Sequence, residues 1–92
     1  MGAPAAGVMM IPIPRQGVYA GVEGLESARS VAGIADVIVT AKEGQLLEPL
    51  PEGNSYLGFI FAQGRDSQFV DGALREAHAR LDFEILSALP VV

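Results

Sequence analysis

Apolar positions along this chain fall into short runs of strand length, separated by two stretches in which they recur at helical spacing. The run GVMMIPI over residues 7–13 is continuously apolar and predicts a strand. Pro12 and Pro14 lack the N–H that a ladder needs, so pairing is expected to stop near Ile11. PRQG at 14–17 has turn composition, and Val18–Val22 reads either as a short extra strand or as an extended lead into a helix. From about Glu23 to Ala32, Leu25, Ala28 and Val31 or Ala32 share one face, which predicts a helix closed by Gly33. ADVIVTA at 35–41 is β-branched and reads as a strand. The prolines, glycines and glutamates of 42–55 make a loop, with Gln45–Leu47 extended inside it. SYLGFIFAQ at 55–63 is the most pronounced strand. A helix follows over about Ser67–Leu81, capped by Asp66, with Val70, Ala73 or Leu74, Ala77 and Leu81 buried. Asp71–Arg75 and Glu76–Arg80 have the i,i+4 spacing that supports it, while Gly72 weakens it. DFEIL at 82–86 alternates, placing Phe83 and Ile85 inward and Asp82 and Glu84 outward, as suits an edge strand.

Two βαβ-like halves in this order predict a ferredoxin-like α+β sandwich: a four-stranded antiparallel sheet, with or without the short extra strand, and two helices on one face. Residues 7–86 are read as one domain, 1–6 as a flexible lead-in and 87–92 as an apolar tail.

A sheet covered on one side should be polar on the other. The last strand obeys this rule; the presumed central strands do not. Leu57, Phe59 and Phe61 alternate with Tyr56, Gly58, Ile60 and Ala62, and Met9, Ile11 and Ile13 alternate with Val8, Met10 and Pro12. Both sets are apolar in both strands, so two helices leave a greasy face uncovered. A second body is expected over it, meeting Val8, Met10, Tyr56 and Ile60; the competing reading folds the tail, 86–92, across part of it.

Composition narrows the chemistry. The 92 residues hold eleven acidic and six basic side chains, a net charge of −5 that argues against nucleic acid and anionic membrane as partners. No apolar run approaches the roughly 18 residues of a spanning helix, and the opening residues, without a basic segment and broken by prolines, do not read as a signal peptide. A cytoplasmic setting is the default expectation. Without cysteine, disulfides and thiolate chemistry are excluded, and the single histidine, His78, reads as a helix-surface residue with no second ligand to complete a metal site. Glu43, Glu48 and Glu52 match no calcium-loop spacing. Gly17, Gly21 and Gly24 precede a helix, but lack the G-x-G-x-x-G spacing and a P-loop lysine. Ser27, Ser30, Ser55 and Ser67 have no base partner beyond His78. Arg15 and Arg29 read as surface residues; Arg65, at a strand–helix junction, reads the same way although it could reach an anion. No catalytic residue or metal site is therefore assigned.

The segments IPIPRQG (11–17), GLESARSVAGI (24–34), PLPEGNSYLGFIFAQG (49–64) and ALREAHARLDFEI (73–85) together resemble the C-terminal region of carboxylate–amine ligases of the L-amino acid ligase type, in the ATP-grasp superfamily. The resemblance spans about residues 7–85 and rests on glycines, prolines and apolar spacing rather than a catalytic signature. It implies that ATP and Mg²⁺ are held in preceding catalytic lobes, where an acyl-phosphate forms before amine attack, and that no cofactor is held by this chain. It implies a non-catalytic accessory domain, a fragment or a separate subunit, docked on the ATP-grasp body through its apolar face. The alternative is a stand-alone ferredoxin-like regulatory module that homodimerises through its sheet.

Overall fold

The computed structural model describes residues 4–48 and 56–87. In chain order it contains β1 (Ala5–Ile11), β2 (Gly17–Glu23), α1 (Leu25–Arg29), β3 (Ile34–Val39), β4 (Leu46–Leu47), β5 (Gly58–Gly64), α2 (Ser67–Ala79) and β6 (Asp82–Leu86). The α+β class is as expected, with every pairing antiparallel. The strands form two sheets of three, ordered β1-β5-β3 and β4-β2-β6.

One departure from the expected four-stranded sheet is the place of the last strand. A ferredoxin-like order would set β6 beside β1, whereas it pairs with β2, Val18 opposite Leu86 and Glu23 opposite Asp82. Pro12 and Pro14 account for the break in the first strand that makes a separate β2 possible. They interrupt the first strand, the chain jogs over residues 12–16, and the continuation β2 offers β6 a fresh ladder. The first strand also starts at Ala5, two residues before the expected start.

The helices gather on one face of β1-β5-β3: α2 lies on β5 and β1, and α1 on β3 and α2. Asp66 Oδ1 accepts the Phe69 N–H at 2.7 Å, capping α2. Helix α2 then turns Val70, Ala73, Leu74 and Ala77 into the core, where they meet the fully buried Ile11, Val37 and Ile60. Each of the valine, leucine and isoleucine side chains among them contributes about 1.5–3 kcal/mol by leaving water. Helix α1 has only five residues, shorter than expected, because Gly24 at φ +90° stands outside it and the chain turns after Ser30 towards Gly33 at φ +95°. A Cβ on Gly24 would come within 2.0 Å of the Arg80 carbonyl, so this close approach admits only glycine. The ion pairs Arg75–Asp71 and Arg80–Glu76 form at 3.0 Å as their spacing predicts. Among the described residues no helix is long and apolar enough to cross a membrane.

Candidate interaction face

The side of β1-β5-β3 away from the helices presents Val8 and Met10 from β1, Phe59 and Phe61 from β5, and Ile38 from β3. Register sets them in two cross-strand rows, Met10–Phe59–Ile38 and Val8–Phe61–Asp36. Directly opposed side chains on one sheet face touch, and the Phe59 and Phe61 rings lie 6.5 Å apart. Val8 is 53% exposed and Met10 51%, and Ile38 and Phe61 are exposed as well. Asp36 ends the second row, with Arg29 at 3.6 Å. On the smaller sheet Val18 has Leu46 on one side and Leu86 on the other, both leucines exposed. All the exposed large hydrophobics among the described residues thus stand on strands, none on a helix.

Of the four residues expected at the interface, Val8 and Met10 lie on this bare face. Tyr56 is half-buried immediately before β5. Ile60 is not there: it is 0% exposed, on the helix-covered side, and Phe59 and Phe61 take the outward places. The error is one of parity, since both alternating sets of β5 are apolar and a shift of one residue exchanges the faces. Residue size carries the missing signal. Gly58 and Ala62 flank Ile60 on its side, and small side chains suit the face on which a helix packs closely. The expected tail covering, 86–92, falls outside the described residues from 88 onward.

Several polar side chains bind other parts of the fold. Arg15 donates from Nη2 to the Ile85 carbonyl, Arg29 Nη2 to the Val37 carbonyl at 2.7 Å, and Arg80 Nη1 to the Ser27 carbonyl at 3.2 Å. Arg65 sits over the Phe69 ring, 5.3 Å from its centroid. Ser30 Oγ donates to the Ser27 carbonyl, and His78 is half-buried in the last turn of α2. Ser55 and Glu52 lie outside the described residues. Gly17 and Gly21 belong to β2 rather than to a phosphate-binding loop, Gly21 following the bulge in the β2–β6 ladder. Beside that bulge runs an open hollow of about 590 Å³, bordered by Arg15, Glu23, Asp82 and Glu84. Tyr19 is buried under the smaller sheet, its ring centroid 6.4 Å from that of Phe83. Burial, and then the nearby Glu43 charge, push its phenol above the ordinary value. Among the described residues no three His, Cys, Asp or Glu side chains converge to hold a metal ion.

Three comparisons set this fold beside known proteins. Residues 9–86 match the family model for L-amino acid ligase C-terminal domain 2. The fold is similar to part of the crystal structure of the L-amino acid ligase from Bacillus licheniformis, with a TM-score of 0.76 and 23% sequence identity. That likeness covers 89% of this chain but only 20% of the ligase chain. A search of curated proteins gave no match.

Proposed function

Because this chain belongs to the L-amino acid ligase C-terminal domain 2 family, we propose that it is a non-catalytic accessory domain of an ATP-grasp carboxylate–amine ligase, acting in the cytoplasm. It docks on the catalytic body through Val8, Met10, Ile38, Phe59 and Phe61. ATP and Mg²⁺ belong to that body, and this chain contributes surface and shape rather than reacting groups.

The observation that carries the reading is the bare apolar face itself. Five large apolar side chains in two contiguous rows, with Ile11, Val37, Ile60 and Ala62 buried on the opposite side of the sheet, make a surface that water disfavours. A domain that normally rests on a larger body carries such a face, and the 20% coverage of the ligase chain fits a part that works within a larger whole. Aromatic and methionine side chains are also enriched at protein interfaces relative to the rest of the surface.

The test is titration of the chain with the ATP-grasp body encoded beside it or on the same polypeptide. Wild type should bind, and Phe61→Asp or Met10→Asp should lose at least tenfold in affinity while keeping the far-UV circular dichroism of wild type. Equal binding by the variants would move the interface elsewhere. Phosphate release by the isolated chain with ATP, Mg²⁺ and mixed amino acids would contradict the non-catalytic role.

A further inference from the structure

The four sheet edges are treated unequally. Strand β3 has a ladder irregularity between Ile34 and Asp36, and a side-chain donor, Arg29, occupies its Val37 carbonyl. Strand β6 carries Asp82 and Glu84, and Arg15 occupies its Ile85 carbonyl. Strand β4 has only two residues. Each is a recognised way of blunting an edge against further pairing: a bulge, a charge, a capping side chain, a short strand. Strand β1 has none of them. It runs seven residues, AAGVMMI, without charge or proline, and among the described residues the ladder hydrogen bonds of Ala5–Met10 go to β5 alone. Among the described residues that leaves about 20 Å of outer edge without a strand partner.

We infer that this edge takes the β1 strand of a second copy, antiparallel about a twofold axis centred on Val8. In that register Val8 meets Val8 of the second copy, Ala6 meets Met10, Gly7 meets Met9 and Ala5 meets Ile11. Even-numbered residues face even-numbered ones, so outward side chains stay outward and the helix-side residues stay inward. An isologous pairing needs a patch complementary to itself. An uncharged strand meets that need even in a chain of net charge −5, because no like charges are brought together along it. The two three-stranded sheets become one of six strands, and the bare rows of both copies run on as a single surface. The pairing uses the edge and leaves the face free, so it stands or falls separately from docking on a ligase body.

The chain has no cysteine, so one introduced thiol reports one contact. With Val8→Cys, a short thiol crosslinker should join two chains efficiently. With Met10→Cys it should not, since those positions lie about 14 Å apart along the paired strands. Sedimentation at tens of micromolar should give about 19 kDa, twice the 9.6 kDa chain. Val8→Lys should return it to monomer by opposing two cations, and Phe61→Lys, one strand away from the edge, should leave the dimer intact. Should Val8→Lys fail to fold, the crosslinking comparison decides alone. A monomeric wild type overturns the proposal. So does a dimer that Phe61→Lys dissociates or in which Met10→Cys links as well as Val8→Cys, since the copies would then meet by their faces or in another register.

Discussion

The β1-β5-β3 sheet has both helices packed against one of its faces, whereas β4, β2 and β6 hold together around Tyr19, Leu47 and Ile85 with neither helix mainly engaged on them. The larger sheet is rich in buried aliphatic contacts, and among the described residues its other face carries the exposed Val8, Met10, Ile38 and Phe61. The smaller one is short on one side, bulged on the other, and bordered by Glu23, Asp82 and Glu84. In a domain of this size, most of the burial that offsets chain entropy must therefore come from one sheet and its helices. The smaller sheet is free to be locally weaker than the larger one.

The sharpest way to separate the two faces of the larger sheet is at neighbouring residues of β5. Ile60→Ala removes a fully buried side chain beneath α2 and should cost about 2–5 kcal/mol, enough to unfold much of a domain this small. Phe61→Ala, on the bare side, should cost the isolated chain well under half of that in the same urea titration. Comparable losses would mean that the outward face is already covered within the chain. The next effect belongs to the smaller sheet. A Cβ on Gly17 would stand 2.4 Å from the Leu86 carbonyl and 2.5 Å from Ile85 Cγ2, so Gly17→Ala must push β6 from β2. About 1–3 kcal/mol of destabilisation is expected. Hydrogen exchange should quicken in β2 and β6 while β5 stays protected, if the sheets open as separate units.

A smaller loss, typically about 1 kcal/mol, is expected from Asp66→Ala, which leaves the Phe69 N–H without its acceptor at the start of α2. Because α2 buttresses mainly the larger sheet, this variant should speed exchange in β1 and β5 more than in β2 and β6. Uniform acceleration would instead make the two sheets a single cooperative unit, and the contrast between them would be lost.

How much of this could be read from the residues depends on the range of the interaction. Helix α2, its Asp66 cap, both of its ion pairs and the bounds of β6 follow from contacts within a few positions, and they stand where the pattern places them. The choice of β2 over β1 as partner for β6 is a long-range decision. The two prolines signal the break in the first strand, but not which fragment of it β6 would join. The surplus of apolar strand surface was legible, and so were Val8 and Met10 as parts of it. The facing of Ile60 was not, because alternation alone cannot assign sides in a strand that is apolar throughout. That β1 pairs with β5 alone among the described residues becomes visible only when the strand order is known.

The gentlest probe of the comparison is alkaline pH, through Tyr19 on the smaller sheet. Burial first, and then Glu43, raise its phenol above 10.0, so the folded chain holds that proton more tightly than the unfolded one does. Stability then falls wherever the native state binds more protons. The Tyr19 contribution is fully present below about pH 10 and is lost as pH rises through the folded pKa. Urea midpoints at about pH 8 and about pH 11 should therefore differ more for wild type than for Tyr19→Phe, which keeps the ring beside Phe83 but cannot ionise. Glu43→Gln should give an intermediate slope, since it removes the lesser of the two causes. If the smaller sheet is the weaker unit, its β2 and β4 amides should lose protection at a lower pH than those of β5. Equal slopes for wild type and Tyr19→Phe would mean that the phenolate reaches solvent without opening the sheet, and that Tyr19 is less firmly held there than its burial indicates.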